Sequence, residues 1–282
     1  MSKNSILRNI LRGITHLVSA LKHKKIVPII TIKESNNLLD GKVALITGGS
    51  GGIGSAIARK LLDSGCKVII SGTNEQKLKE KAQELGIEST IVIDMNNIGL
   101  FHAKIEEAAN IFGRLDFLIC SSGVHVKRSG FNVLNVSENE YDYIMDINLK
   151  GTYFICQAFA NYLIKQKLSG RILLISSSRG AEPAWSPYSL SKHAINALTK
   201  GLAQVLIEHD IIVNAIAPGP TATTMQDDLI NGSIYSSDNA LGRYTTPEEI
   251  AECAKLLVSD LGNSIIGDTI YMSGGRGVFD IR

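Results

Sequence analysis

The chain alternates short apolar runs with longer helical stretches from Leu39 onward, and this alternation limits its fold more than any other feature. Seven runs are rich in β-branched residues and apolar at consecutive positions: 43–46, 68–70, 90–93, 117–120, 172–175, 211–216 and 269–272. Strands of this kind are covered on both faces. Helical stretches lie between most of them, including 53–62, 77–85 and 103–112. The pattern predicts an α/β fold, a doubly wound parallel sheet of about seven strands with helices on both faces.

Composition and charge exclude several classes of protein. Of 282 residues, 44% are hydrophobic and 20% are charged, which supports a large core and argues against disorder. The four cysteines (Cys66, Cys120, Cys156 and Cys253) are widely spaced and form no C-x-x-C pair. We therefore expect reduced thiols in a cytoplasmic protein, and neither a metal site nor a disulfide framework. Residues 41–282 hold 22 basic and 25 acidic groups, so we expect no nucleic-acid partner.

The first 37 residues differ from the rest, and we divide the chain into a basic arm (1–37) and one catalytic domain (38–282). Residues 1–40 hold seven Lys or Arg against two acidic residues. Apolar residues from Ile6 to Leu21 recur at spacings of three and four, which is typical of an amphipathic helix. Such a helix could pack on the domain or on a neighbouring subunit, contact a membrane surface peripherally, or serve as a targeting sequence. The sequence favours packing of this helix on the domain or on a neighbouring subunit, and it does not exclude membrane contact or targeting.

A glycine-rich stretch follows the first predicted strand and leads directly into a predicted helix. It reads Thr47-Gly48-Gly49-Ser50-Gly51-Gly52-Ile53-Gly54. The backbone N–H groups at a helix N-terminus have no partner within the helix, and the helix dipole adds positive potential there. Glycines allow a phosphate to approach the backbone closely. We therefore predict a pyrophosphate site formed by Gly48, Ser50, Gly52, Ile53 and Gly54.

A tyrosine and a lysine one helical turn apart carry the chemistry that we predict. They occur in Tyr188-Ser189-Leu190-Ser191-Lys192, and positions i and i+4 share one face of a helix. An ammonium about 5 Å away would stabilise the phenolate by roughly 3 kcal/mol at an effective dielectric constant of about 20. We therefore expect a lowered pKa for Tyr188, which would make it an acid–base catalyst. A predicted strand ending in Ser176-Ser177-Ser178 precedes it.

In combination these motifs resemble the short-chain dehydrogenase/reductase family, which carries T-G-x-x-x-G-x-G and a serine before Y-x-x-x-K. The resemblance covers about residues 38–277 and implies a catalytic set of Asn148, Ser177, Tyr188 and Lys192. Asn148 would hold a water that links Lys192 to solvent. Ser176 and Ser178 are alternative candidates for the serine of this set, and the register of the surrounding motif favours Ser177.

The resemblance also implies further residues around the nucleotide. Asp94 would cap the adenine, with Met95 supplying a backbone N–H. Ser121 replaces the family's asparagine in Cys120-Ser121-Ser122-Gly123. Residues 224–242 would form a substrate lid. The complete predicted cofactor set is Gly48, Ser50, Gly52, Ile53, Gly54, Thr73, Asn74, Asp94, Met95, Ser121, Gly123, Tyr188, Lys192, Pro218, Gly219, Thr221 and Thr223.

The end of the second predicted strand bears on the choice of nucleotide. An NAD site needs a carboxylate there for the ribose hydroxyls, and this chain has Ser71-Gly72-Thr73-Asn74. Thr73 and Asn74 could donate to a 2′-phosphate instead, and Lys77 is the nearest cation. The sequence therefore favours NADP(H), with NAD(H) possible.

We predict an oxidoreductase that interconverts a carbonyl and a secondary alcohol by hydride transfer, in the direction of NADPH-dependent ketone reduction. The alternatives are a catalytically idle nucleotide-binding scaffold that uses its arm, and an epimerase or dehydratase on the same fold. His125, Lys127 and Arg128 lie where a charged substrate could approach, or they belong to a solvated loop. The predicted helices 148–163 and 189–207 are apolar on more than one face, with Ile155 and Phe159 among their residues. They predict a homodimer or homotetramer.

Overall fold

A computed structural model describes residues 37–126, 128, 130–223 and 240–276. Almost the whole predicted arm, Lys127 and residues 224–239 of the predicted lid lie outside these residues. No helix in the described part of the chain is both long and apolar enough to cross a membrane.

The described residues form one parallel sheet of seven strands in the order β3-β2-β1-β4-β5-β6-β7. The strands are β1 (Val43–Thr47), β2 (Lys67–Gly72), β3 (Ser89–Val92), β4 (Phe117–Cys120), β5 (Gly170–Ile175), β6 (Ile211–Pro218) and β7 (Thr269–Met272). Every neighbouring pair is parallel. The predicted doubly wound α/β fold is therefore confirmed.

Helices connect the strands. They are α1 (Gly52–Asp63), α2 (Glu75–Leu85), α3 (Phe101–Phe112), α4 (Glu138–Met145), α5 (Thr152–Gln166), α6 (Pro187–Leu206) and α7 (Pro247–Val258). The stretch predicted as one helix from residue 148 to 163 is divided. Its first residues belong to a π-helical turn, Asp146–Gly151, that joins α4 to α5. Such turns are frequent at functional sites.

Both faces of the sheet are buried, as the consecutive apolar runs predicted. Leu45 belongs to one hydrophobic cluster, and its neighbours Ala44 and Ile46 belong to a second cluster. Successive strand residues point to opposite faces, so the two clusters lie on opposite sides of the sheet. Each fully buried Leu or Ile contributes about 1.5–3 kcal/mol to stability. Burial on both sides therefore fixes the sheet as a rigid platform.

The structure bears on two predictions about side chains, one about the cysteines and one about a subunit interface. The four cysteines are unpaired as predicted, and only Cys253 among them is not fully buried. Ile155 and Phe159, which we expected to contribute to a subunit interface, are fully buried in the core of this chain. The continuous apolar character of α5 therefore reflects, in part, packing against its own sheet.

Candidate active site

A cleft of about 1130 Å³ crosses the carboxyl ends of the strands. It lies where β1 is flanked by β2 and β4, which is the point at which the strand order reverses. Ligands of open α/β sheets bind at such a point. All of the predicted cofactor residues line the cleft, together with Ser177. Of the predicted site, only Asn148 lies behind the wall, where it is buried.

The glycine turn forms one end of the cleft because side chains are sterically excluded there. Gly48 has a φ of +64°, and a Cβ at this position would come within 2.9 Å of the Ser121 backbone. A Cβ on Gly52 would come within 2.6 Å of the Thr223 side chain, and a Cβ on Gly54 would collide with the Gly48 carbonyl oxygen. Helix α1 begins at Gly52, so the backbone N–H groups of its N-terminus lie at this end of the cleft. This cradle fits a diphosphate.

The residues after β2 combine a helix cap with a cation. Asn74 is the N-cap of α2, and its Oδ1 accepts a hydrogen bond of 2.9 Å from the backbone N–H of Lys77. Its side-chain amide therefore has a structural role in addition to the predicted one. Thr73 and Lys77 line the cleft beside it. Glu75 also lies nearby, but its carboxylate is paired with Lys79 at 2.7 Å.

Asp94 and Met95 follow β3 at the same edge of the cleft. The Oδ1 of Asp94 accepts from the backbone N–H of Asn96 at 2.9 Å, which makes this carboxylate part of a strand-end turn. Met95 is buried at 4% exposure. Both are placed at the cleft, and the predicted contact with adenine stays a prediction.

Asn148 holds the segment that follows β4. Its Oδ1 accepts from the backbone N–H of Val124 at 2.8 Å, and its Nδ2 donates to the Val124 carbonyl at 2.9 Å. A Cβ on Gly123 would lie 3.6 Å from Asn148 Oδ1 and 3.7 Å from Lys192 Nζ. The asparagine is thus close to the lysine, across a glycine. Its amide is bonded to backbone, and a water link through it stays a prediction.

The start of α6 brings the tyrosine and the lysine together. Ser186 caps this helix and Pro187 occupies its first turn, so Tyr188 lies near the helix start and Lys192 one turn later. The ammonium nitrogen of Lys192 lies 5.6 Å from the centre of the Tyr188 ring. It donates to the Ile175 carbonyl oxygen at 2.8 Å. The two side chains therefore share the space that the i, i+4 spacing predicted.

The structure distinguishes among the three serines. The Ser177 hydroxyl lies close enough to the Tyr188 phenol to lower the pKa of the phenol through hydrogen bonding. Ser176 donates instead to the Asn196 side chain at 2.6 Å, two helical turns beyond Tyr188. Ser178 belongs to a short 3-10 turn and is buried. Ser177 is thus the serine in contact with Tyr188, in agreement with the register.

The pKa of Tyr188 moves in the opposite direction from the expected one. Burial raises the pKa of the phenol, and the Ser177 hydrogen bond and the charge of Arg179 oppose this rise without cancelling it. Burial also lowers the pKa of Lys192 to about 8. The expectation of an acidic phenol was wrong because it included the attraction between the two groups but not the loss of solvation that both undergo.

Arg179 is a residue of the cleft that the motif analysis missed. It lies two residues after Ser177 and lines the cleft with Arg276, another residue that was missed. The available signal was an arginine in the short segment between Ser177 and Tyr188. Glu182, in the same segment, contacts both arginines.

The carboxyl end of β6 forms the wall opposite α2. Pro218 ends the strand, and Gly219 donates its N–H to the Met272 carbonyl at 3.0 Å. Thr221 Oγ1 donates to the Gly219 carbonyl at 2.9 Å. Thr223 lies against Gly52, as described above, so the chain leaving β6 passes over the glycine turn.

The other end of the cleft is lined by aromatic rings. His125 lies edge-on to Tyr188 with ring centres 6.0 Å apart, and Phe131 lies 5.8 Å from Trp185. Arg128 is occupied in an ion pair with Glu140 at 2.7 Å, which supports the solvated-loop interpretation for this residue. A carbonyl compound could reach Tyr188 from this end.

The chain is similar to known reductases over most of its length. Residues 48–276 match the family model described as enoyl-(acyl carrier protein) reductase. The 3-oxoacyl-[acyl-carrier-protein] reductase FabG of Rickettsia prowazekii is 36% identical over 244 residues, which is 84% of this chain and 97% of that protein.

Two solved structures have the same fold. The 3-ketoacyl-(acyl-carrier-protein) reductase of Brucella melitensis, complexed with NADH, is 28% identical with a TM-score of 0.76, covering 85% of this chain and all of that one. The actinorhodin polyketide ketoreductase with NADPH is 25% identical with a TM-score of 0.76, covering 84% and 98%. The family match, the relatives and the fold agree: the chain belongs to the short-chain dehydrogenase/reductase family of NAD(P)-dependent oxidoreductases that act on CH–OH groups.

Proposed function

We propose that this enzyme uses NADPH to reduce the ketone of a 3-oxoacyl compound to a secondary alcohol, with Tyr188 as the proton donor. The observation that carries the proposal is the contact among Ser177, Tyr188 and Lys192 in one cleft with the glycine turn. The names of the relatives, which are 3-oxoacyl and polyketide ketoreductases, support this substrate class.

Each of these side chains has a separate role in the reduction. When bound, the reduced nicotinamide supplies the hydride that adds to the carbonyl carbon. Tyr188 gives its phenolic proton to the carbonyl oxygen, and its raised pKa keeps that proton in place at neutral pH. Ser177 hydrogen-bonds the same oxygen and fixes its position. Lys192, with a pKa of about 8, is mostly charged at pH 7 and stabilises the phenolate that remains.

The test is a Tyr188→Phe variant, in a screen of carbonyl compounds that follows the loss of NADPH absorbance. We expect turnover to fall by at least about a thousandfold while nucleotide binding changes little, because the variant lacks only the proton donor. Tyr153→Phe is the control, since Tyr153 is an exposed tyrosine of α5 outside the cleft. Near-normal turnover in Tyr188→Phe would refute the assignment. A wild-type protein that binds nucleotide without any turnover would favour the idle scaffold.

The preference for NADPH rests on the residues after β2. A carboxylate at that point would repel a 2′-phosphate, and Ser71-Gly72-Thr73-Asn74 provides none. Lys77 lines the cleft and could pair with the phosphate, while the adjacent Glu75 is engaged by Lys79. The two solved relatives bind NADPH in one case and NADH in the other, so NADH remains an alternative donor.

Fluorescence titration with both nucleotides tests the preference. Lys77→Met should weaken NADPH binding about tenfold and leave NADH binding unchanged, because only NADPH carries the 2′-phosphate. Lys81→Met on the same helix is the matched control, because Lys81 pairs with Glu84 and lies outside the cleft. NADH binding at least about ten times tighter than NADPH in the wild-type protein would reverse the preference.

We also infer that the enzyme self-associates through α6. Leu190, Ala197 and Val205 lie at spacings of seven and eight along one side of this helix, and all three are exposed, Val205 at 62%. An apolar face of this kind is typical of an interface. Sedimentation should give a dimer or tetramer at micromolar concentration, and Val205→Glu should shift it toward monomer. Monomers alone in the wild-type protein would contradict the inference.

The cytoplasmic location of the enzyme stays a prediction, which was made from its widely spaced cysteines.

A further inference from the structure

Two arginines from distant parts of the chain meet at the cleft. Arg179 follows β5 and Arg276 follows β7, and both line the cleft. Glu182 contacts both of them, with 2.7 Å between its Oε2 and Arg179 Nη1 and 2.8 Å between its Oε1 and Arg276 Nε. The carboxylate is 15% exposed and lies outside the lining of the cleft. The carboxylate therefore fixes the two guanidinium groups without itself lining the cleft.

The three groups leave a net positive charge at the cleft. Two guanidinium groups and one carboxylate sum to +1, and the nearby Lys192 adds a second positive charge. The charge of Arg179 reaches the reacting phenol, whose pKa it lowers. A positively charged wall beside the reaction centre attracts an anion.

The guanidinium of Arg179 retains N–H donors that could bind a ligand. Within the part of the chain that the structure describes, its side chain contacts a carboxylate through Nη1, and the side chain is 45% exposed. A guanidinium has five N–H donors in a planar fork that matches two oxygens of a carboxylate or a phosphate. The contact with Glu182 fixes the plane of the group and leaves donors for a ligand.

We propose that Arg179, positioned by Glu182, binds an anionic group of the substrate close to the ketone. This proposal rests on the proposed function and narrows its substrate class to carbonyl compounds that carry a carboxylate or a phosphate. The anion could belong to the acyl part, as a carboxylate, or to the carrier of a thioester, as a phosphate.

Trp185 makes a direct binding assay possible. It is the only tryptophan of the chain and it lines the cleft. Its fluorescence should report ligand binding in the full chain without any turnover, with NADP⁺ present. Two pairs of probes differ in charge. Acetoacetate is compared with its methyl ester, and acetoacetyl-CoA is compared with acetoacetyl-pantetheine, which lacks the phosphates.

The variant is Arg179→Met, and the expected change is confined to the anionic probe of one pair. Loss of a charge-assisted hydrogen bond weakens that probe about 10- to 100-fold, and the neutral partner changes less than about threefold. An effect on acetoacetate assigns the anion to the acyl part, and an effect on acetoacetyl-CoA assigns it to the carrier. Arg179→Lys, which keeps the charge without the fork, should retain part of the affinity.

The control is Arg59→Met, because Arg59 is an exposed arginine outside the cleft whose Nη2 donates to the Glu84 carbonyl. Equal changes in both members of each pair would overturn the proposal, since a residue that only shapes the loop or the phenol does not distinguish charge. Failure of the wild-type protein to bind either anionic probe would also overturn it. Because the assay measures binding, it gives a result even if Tyr188→Phe disproves the catalytic assignment.

Discussion

Replacing Lys192 by methionine isolates the cost of burying a charged amine beside the phenol. Lys192 is 5% exposed on α6, and among the residues that the structure describes its ammonium donates to one acceptor, the Ile175 carbonyl. Burial without a carboxylate partner disfavours the charged form, which lowers the pKa from 10.5 to about 8. Methionine has a similar length and no charge. We therefore expect Lys192→Met to be more stable than the wild-type protein at neutral pH.

The magnitude follows from the pKa. A fall from 10.5 to about 8 corresponds to a penalty of about 3 kcal/mol at pH 7, at about 1.4 kcal/mol for each pKa unit. Loss of the hydrogen bond to Ile175 offsets about 1 kcal/mol of the gain. Between pH 8 and 10.5 the unfolded chain binds more protons than the folded one, so wild-type stability rises with pH. The advantage of the variant, about 2 kcal/mol at pH 7, should be nearly gone at pH 10.

Urea unfolding at pH 7 and pH 10, at one fixed protein concentration, measures this difference. Lys200→Met on the same helix is the matched control, because Lys200 is exposed, and it should change stability by less than about 0.5 kcal/mol at either pH. A Lys192→Met protein that is less stable than wild type at pH 7 would refute the reasoning. So would a difference that does not depend on pH, because the charge of the amine would then not be its source.

Three further substitutions test individual contacts of the fold. Gly52→Ala places a Cβ within 2.6 Å of the Thr223 side chain, so nucleotide binding measured by titration should weaken about tenfold or more, with recovery in Gly52→Ala/Thr223→Gly. Asn148→Ala leaves the Val124 N–H and carbonyl without their partner and should cost about 1–3 kcal/mol in urea unfolding; no loss would show that water replaces the amide. The ion pair and the helix-cap hydrogen bond of Glu249 lower its pKa to about 2, so its charge stabilises the folded state above pH 4.5 and this stabilisation is lost as the pH falls to 2. Glu249→Gln should therefore have a lower melting temperature than the wild type at pH 7 and the same melting temperature near pH 2.

The fold was predictable because the central strands are buried on both sides and therefore read as unbroken apolar runs, while the edge strands β3 and β7 are partly exposed. All seven strands were found to within two residues at each end. The π-helical turn was not predictable. Asp146–Gly151 has an ordinary helical composition, and its wider turn depends on contacts with distant residues, such as the bond from Asn148 Nδ2 to the Val124 carbonyl.

The site was partly predictable for a related reason. Gly48 and Gly52 lie in a short motif, and Tyr188 and Lys192 share one helical turn, so local sequence determines their placement. Arg179 and Arg276 are 97 positions apart in the chain, and only the folded structure brings them to the same carboxylate. Long-range electrostatic contacts of this kind leave no periodic signal in a sequence.

The same burial that brings Tyr188 and Lys192 together also opposes the charge that each needs. Removing both groups from water raises the pKa of the phenol and lowers that of the amine. In the proposed mechanism, the phenolate formed during reduction must therefore be stabilised by fixed polar groups. In the described structure these are the hydroxyl of Ser177 and the charge of Arg179, in addition to Lys192. Catalysis and the proposed anion site then depend on the same arginine. A bound anion would weaken its support of the phenolate, and a neutral substrate would leave that support intact.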